Sequence, residues 1–235
     1  MSGGRSERAG REGRGRWRRR MSERNSGARA GGTRGARARN PRGQGDRLRT
    51  DILRATERLL EELGSEDALS LRAVAREVGI AAPSIYRHFT DKTELVWATL
   101  AQNYERLAEA MAEADADAAD DEPLERLRAQ LRAYCRYAVE HPAKYRLMYD
   151  TWQTPVEAER LPGHPAGVLV RGWEQALRRC EDAGWRVRGT RAEAPYVLWY
   201  SVHGRVTLWQ VMPRRKDPAR LDGFVDELLA LLLER

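Results

Sequence analysis

The chain has 235 residues, with 42 Lys and Arg against 35 Asp and Glu and a net charge of +7. Two cysteines are too few for a disulfide scaffold, and no apolar run is long and clean enough for a membrane span. The charge is uneven: residues 1–44 hold 14 Arg and 3 Glu, a balance of +11, which leaves −4 for the remainder. The basic character belongs to the N-terminal arm, so any basic surface on the folded part must be local.

Residues 1–44 are Arg, Gly and Ser with almost no apolar content. Such a segment cannot bury enough surface to offset its ordering entropy and should be disordered. Met21 within it is an alternative first residue. The charged start has no apolar core behind it, unlike a signal peptide, so the expected location is the cytoplasm.

From Asp46 the pattern turns helical. Leu48, Ile52, Ala55, Leu59 and Leu63 recur at spacings of three and four, and Gly64 stops the helix. Ser70 caps a short helix with Leu71, Val74, Ala75 and Val78 on one face, ended by Gly79. A second short helix carries Ile80, Ile85 and Phe89 inward. Thr90 is the predicted cap of the next helix, over about 91–114. An acidic, Ala-rich break follows at 115–123. Helices are then predicted at about 124–140, 142–149, 165–183, 194–210 and 218–233, with a Pro- and Gly-containing loop at 151–164. No strand pattern appears. The chain reads as all-α, with about nine helices: a disordered arm at 1–44, a helix-turn-helix region at 45–91, and a larger helical region at 92–235.

The stretch from Ser70 to Leu95 carries the chemistry. Small Ala75 lets two helices approach, and Gly79 permits the left-handed backbone at the turn. With Ile80, Ile85 and Phe89 turned inward, Ala81, Ala82, Pro83, Ser84, Arg87 and His88 are left facing out. Pro83 is tolerated in a first helical turn. Arg87 is the long donor fork, suited to a guanine edge or a phosphate. Tyr86 and His88 suit phosphate oxygens. Lys92 and the start of its helix would form a phosphate clamp, with Ser70 offering a second at the start of the first motif helix.

Residues 79–95, GIAAPSIYRHFTDKTEL, resemble the signature of the TetR family of bacterial transcriptional regulators, and the likeness extends from Asp46 to about Leu100. The resemblance implies phosphate contacts at Tyr86 and His88, Lys92 at the start of the following helix, and base-facing positions at Ala82, Pro83, Ser84 and Arg87. Ala81 and Ala82 are small where many relatives place polar readers, so methyl contacts and shape readout would share the load. The resemblance also implies a homodimer on a near-palindromic double-stranded operator. It further implies repression relieved by a small, largely hydrophobic effector. An architectural DNA binder driven by the Arg-rich arm is the rival reading.

Beyond residue 123 the aromatic residues Tyr134, Tyr137, Tyr145, Tyr149, Trp152, Trp173, Trp199 and Tyr200, with Met148 and His203, either line a mostly apolar pocket or pack a plain core. Segments 141–149, HPAKYRLMY, and 201–209, SVHGRVTLW, are similar to a subgroup with a Trp-His-Gly motif; here Val202 replaces the Trp, and His203 and Gly204 remain. The helix at 194–210 is apolar almost all round, which calls for a second partner surface. With the last helix it suggests a four-helix dimer interface through Val206, Trp209, Leu221, Phe224, Val225, Leu228, Leu229 and Leu232. Gly204 would allow close backbone approach.

Nothing favours an enzyme or a cofactor. The four histidines are scattered without metal spacing, neither Cys135 nor Cys180 sits beside an obvious base, and no Gly-rich phosphate loop opens a helix after a strand.

Overall fold

In the computed structural model, residues 44–118, 122–150, 163–212, 217 and 219–235 are described. The arm through residue 43, Trp152 and most of the predicted 151–164 loop lie outside them. The described residues fall within one unit by contact. Among the described residues are eight α-helices, one 3-10 helix and two short strands.

α1, Gln44–Leu63, buries Ile52, Leu53, Ala55 and Leu60, and its last turn is closed by Gly64, whose N–H donates to the Leu60 carbonyl at 2.9 Å. α2, Leu71–Val78, starts where Ser70 Oγ accepts from the Ala73 N–H at 3.2 Å. It ends at Gly79, whose φ of 76° needs the left-handed region that glycine adopts without strain. The next element, Ala82–Arg87, the predicted second short helix, is a 3-10 helix. Only two residues separate it from Gly79, and Pro83 supplies no N–H. The segment closes on short bonds instead, from Ser84 N–H to the Ala81 carbonyl and His88 N–H to the Ile85 carbonyl, both 2.8 Å.

α3, Lys92–Asp117, is capped by Asp91 and not by Thr90. Asp91 Oδ1 accepts from the Glu94 N–H at 2.8 Å, and Glu94 Oε2 accepts from the Thr90 N–H (2.6 Å) and hydroxyl (2.7 Å). Those Thr90 bonds hold the Glu94 carboxyl below its usual range. The cap thus sits one residue later than predicted, and the Glu94 side chain reaches back past it to Thr90.

α3 runs through both cores. Leu95, Val96 and Leu100 join α1, α2 and Ile85 in the N-terminal cluster, while Tyr104, Leu107 and Met111 join the larger C-terminal one. Leu147 of α5, Pro142–Asp150, also enters the N-terminal cluster. Beside it buried Glu57 of α1 takes Arg106 of α3 at 2.8 Å and Lys144 of α5 at 3.8 Å.

α4, Pro123–Glu140, packs along α3, and α6, Gly167–Asp182, crosses both. Asp115 pins the three together, accepting from Arg126 (2.5 Å) and Gln130 (2.7 Å) on α4 and Arg179 (2.5 Å) on α6. Burial alone would raise its carboxyl pKa; the Arg126 and Gln130 hydrogen bonds and the Arg179 charge outweigh it and hold the pKa below the usual value. Asp115→Ala leaves two guanidinium groups facing each other without their acceptor. The expected loss is about 2 kcal/mol after allowing for solvent screening, read as a fall of roughly 4–8 °C in Tm by calorimetry.

α7, Ala194–Val211, and α8, Ala219–Leu232, complete the body. A two-residue antiparallel ladder pairs β1, Arg186–Val187, with β2, Leu233–Glu234. It is too short for a periodicity signal. Cys135 and Cys180 are free and buried, and desolvation pushes their thiols up to about 12 and about 11.

Candidate functional sites

The first site is the outer face of the 3-10 helix. At three residues per turn, i and i+3 lie on one row. Ala82, Ile85 and His88 share the inward row: Ile85 is buried, while Ala82 and His88 are half-buried. Ala82 and His88, predicted to face outward, are thus partly covered by the tighter winding. Tyr86 (59% exposed), Pro83 and Arg87 project outward, with Ser84 half-covered. Ser70 is exposed at the start of α2; its oxygen caps the helix and its hydrogen remains to donate.

Lys92 is more committed than predicted. Its Nζ donates to the Glu66 carbonyl at 2.9 Å, tying the α1–α2 loop to α3. Two of its three ammonium hydrogens are left for a phosphate. The α3 N-terminus is also less open than a bare helix end, because Asp91 and Glu94 set carboxylates there. Periodicity gave no hint of Arg49, whose guanidinium lies 5.1 Å from the Phe89 ring centroid. That places another cation beside the end of the 3-10 helix.

The second site is a cavity of about 670 Å³ between α6 and α7, bordered also by Tyr149 of α5. Tyr149, Trp199, Tyr200 and His203 of the predicted set line it. His164, Ala166, Gly167, Val170, Arg171, Glu174 and Tyr196 line it without having been foreseen. Tyr134, Tyr145, Met148 and Trp173 are buried core residues that do not reach the wall, and Tyr137 packs instead on His141 at 4.7 Å.

The buried tyrosines support the wall. Trp199 Nε1–H donates to the Tyr149 hydroxyl at 3.0 Å; Tyr149 and Tyr134 hydroxyls are 2.8 Å apart, Tyr134 and Tyr145 2.9 Å, and Tyr145 Oη is 2.7 Å from His203 Nδ1. Desolvation raises all three phenol pKa values, those of Tyr134 and Tyr145 well above the usual value, so they keep their protons. Burial lowers the His203 and His164 pKa values, favouring neutral imidazoles.

His164 joins this cavity to a smaller one of about 260 Å³ that Ala101 and Glu105 of α3 also line. Its ring stands edge-on to Trp97 (centroids 5.5 Å apart) and Tyr104 (5.9 Å), both on α3. The cavity wall therefore touches the helix that starts where the 3-10 segment ends.

The predicted dimer residues need correction. Val206, Leu221, Val225, Leu228, Leu229 and Leu232 are buried inside their own protomer, and Trp209 and Phe224 pack partly buried against that core. The face of α7 left open carries Val197, Tyr200, Leu208 and Val211. Gly204 falls in the middle of this stripe, and a Cβ there would meet nothing within 4 Å. α7 is apolar all round because it serves three surfaces: core, cavity and open stripe.

Fold and surface together define a helix-turn-helix protein with a mainly helical C-terminal body. The family model described as "Bacterial regulatory proteins, tetR family" matches residues 52–99, and "Tetracyclin repressor-like, C-terminal domain" matches 127–232. The chain belongs to the TetR family. An HTH-type transcriptional regulator of Mycobacterium tuberculosis is 31% identical over 131 residues, 52% of this chain and 55% of that protein. The chain thus spans about half the length of the curated relatives it matches. Among solved structures, SmeT, the repressor of the Stenotrophomonas maltophilia efflux pump SmeDEF, aligns with TM-score 0.63 at 23% identity, over 79% of this chain and 90% of its own. NalD, the secondary repressor of MexAB-OprM in Pseudomonas aeruginosa, aligns with TM-score 0.61 at 23% identity, over 81% of this chain and 98% of its own. Among the described residues no group of His, Cys, Asp or Glu is placed to hold a metal ion, and no helix is long and apolar enough to cross a membrane.

Proposed function

We propose that this protein is a dimeric DNA-binding transcriptional regulator, a repressor released from a near-palindromic operator when a small, largely apolar effector enters the α6–α7 cavity. Pro83, Ser84 and Arg87 face the major groove. Ser70, Tyr86, His88, Lys92 and Arg49 meet the flanking phosphates. The α7 stripe mates with its copy on the two-fold axis, which sets two reading segments on successive grooves.

The observation that carries the switch is His164, shared by the cavity wall and by Trp97 and Tyr104 of α3. A ligand that displaces His164 tilts α3 and with it the 3-10 helix. Release requires that ligand to bind the DNA-free state more tightly. SmeT and NalD are named as repressors of multidrug efflux pumps, which fits an effector of aromatic and apolar chemistry.

The test is operator affinity by fluorescence anisotropy with ligands first found by thermal shift. A cavity ligand is expected to weaken operator binding by about 5- to 150-fold. His164→Ala should keep ligand binding within a few-fold and lose most of that coupling. If every cavity ligand leaves operator affinity unchanged, the switch is wrong.

A further inference from the structure

The hydrogen-bond chain beneath the cavity has a direction. Four bonds run in series from Trp199 through Tyr149, Tyr134 and Tyr145 to His203. The indole N–H can only donate, so Tyr149 accepts the first bond. If His203 Nδ1 is bare, Tyr145 must donate to it, Tyr134 to Tyr145, and Tyr149 to Tyr134. Four donors then fill four bonds with none left over. If Nδ1 carries hydrogen instead, five donors compete for the same four bonds, and the Tyr149 proton is left to the Tyr104 hydroxyl outside the series, whose own hydrogen goes to the Met148 carbonyl at 3.0 Å. The four bonds in series therefore favour the neutral imidazole with its hydrogen on Nε2. That nitrogen has no partner among the described residues, and His203 borders the cavity.

The rest of the wall limits what can meet it. The Tyr149 ring lies tilted against His203, with centroids 3.9 Å apart and planes at 34°. Trp199 and Tyr200 lie 5.8 Å apart at 27°. These flat faces suit a planar apolar body. Arg171 and Glu174, of opposite sign, both border the cavity, so neither ligand charge is favoured.

Resting on the reading of this cavity as the effector site, we propose that the effector is a neutral, planar, largely apolar molecule with a hydrogen-bond acceptor such as a carbonyl oxygen, received by His203 Nε2–H. Tyr145 is then a positioning residue, acting through the imidazole it orients.

Two measurements on the full chain test this. Long-range proton–nitrogen correlation spectra, with the His203 signals assigned through their loss in His203→Gln, should show a bare Nδ1 and a protonated Nε2. The opposite tautomer overturns the proposal. Binding of 2-acetylnaphthalene and its near-isostere 2-ethylnaphthalene should differ by about three- to tenfold in favour of the ketone, the range of one neutral hydrogen bond. The preference should vanish in His203→Phe, shrink in Tyr145→Phe, and survive in part in His203→Gln, whose amide can still donate. Equal binding of the two naphthalenes to the wild-type protein, or a preference that persists in His203→Phe, sinks the acceptor assignment. The effector reading survives that result if either compound still releases DNA. Failure of both compounds to bind counts against the cavity as an effector site, and against this inference with it.

Discussion

Arg87→Ala is expected to lower affinity for the specific operator by about a hundredfold or more. Arg87 is the long, exposed donor fork on the outer face of the 3-10 helix, beside small Pro83 and Ser84. A bidentate base contact contributes about 1–3 kcal/mol of discrimination. A two-fold dimer makes it twice, so each substitution counts in both half-sites. The duplex is obtained by selection from randomised DNA, and affinity is then measured at fixed salt. The variant should also relax sequence preference at one symmetric pair of positions, because the lost contact is to a base. Tyr86→Phe removes one neutral hydroxyl per half-site. It should cost roughly tenfold with the salt slope unchanged, since no charge is lost. Unchanged affinity and preference in Arg87→Ala would remove this face from base reading. Deletion of residues 1–44 separates the rival reading. In a sequence-specific regulator it lowers affinity for all DNA alike and leaves the ratio of specific to nonspecific binding intact. An arm-driven DNA binder would keep its affinity in Arg87→Ala and lose it on the deletion.

The helix-turn-helix was legible because its signals are local. Ser70, Gly79 and the Ile85–Phe89 anchor act within a few residues, and each does the backbone work its type predicts. Two details escaped for reasons equally local. Whether six residues wind as an α- or a 3-10 helix depends on the room left between Gly79 and Thr90. The cap is decided by backbone angle: Asp91, one residue past the predicted Thr90, is extended (φ −154°), with its carboxylate on the Glu94 N–H.

The C-terminal body was legible as helices but not as surfaces. Spacing shows that Leu221, Val225 and Leu228 share a face, yet not whether that face meets its own chain or another copy. Here α8 is tied to α4 by Arg128 and Arg132 on Asp226, both 2.9 Å, which turns its leucines into the protomer. The aromatic set divides the same way. Tyr134 and Tyr145 support the cavity from behind, while Tyr149 and Trp199 face it, and no one-dimensional pattern separates the two ranks. His164 and Arg171 went unnoticed because a single His in a loop and one Arg among 39 carry no signal of their own.

Leu208→Asp combined with Val211→Asp should convert the protein to monomers. Both side chains are open to solvent in the single chain, at 51% and 67%, so the folded protomer tolerates a carboxylate there. Helical circular dichroism and Tm should barely change. Across a two-fold axis the same carboxylates would be buried opposite their own copies, desolvated and facing like charge, which an apolar interface cannot accommodate. Sedimentation at micromolar concentration should show a single species of one-chain mass, where the unmodified protein is expected to sediment as a dimer. Operator affinity should fall with it, by roughly a hundredfold to ten-thousandfold, because the second half-site contact is no longer intramolecular. Val225→Asp is the contrast. It buries the charge within the protomer and should unfold the chain before any question of assembly arises. A Leu208→Asp/Val211→Asp protein that remains dimeric would place the two-fold axis elsewhere. The exposed Leu231 on α8, at 71%, would then be the next position to charge.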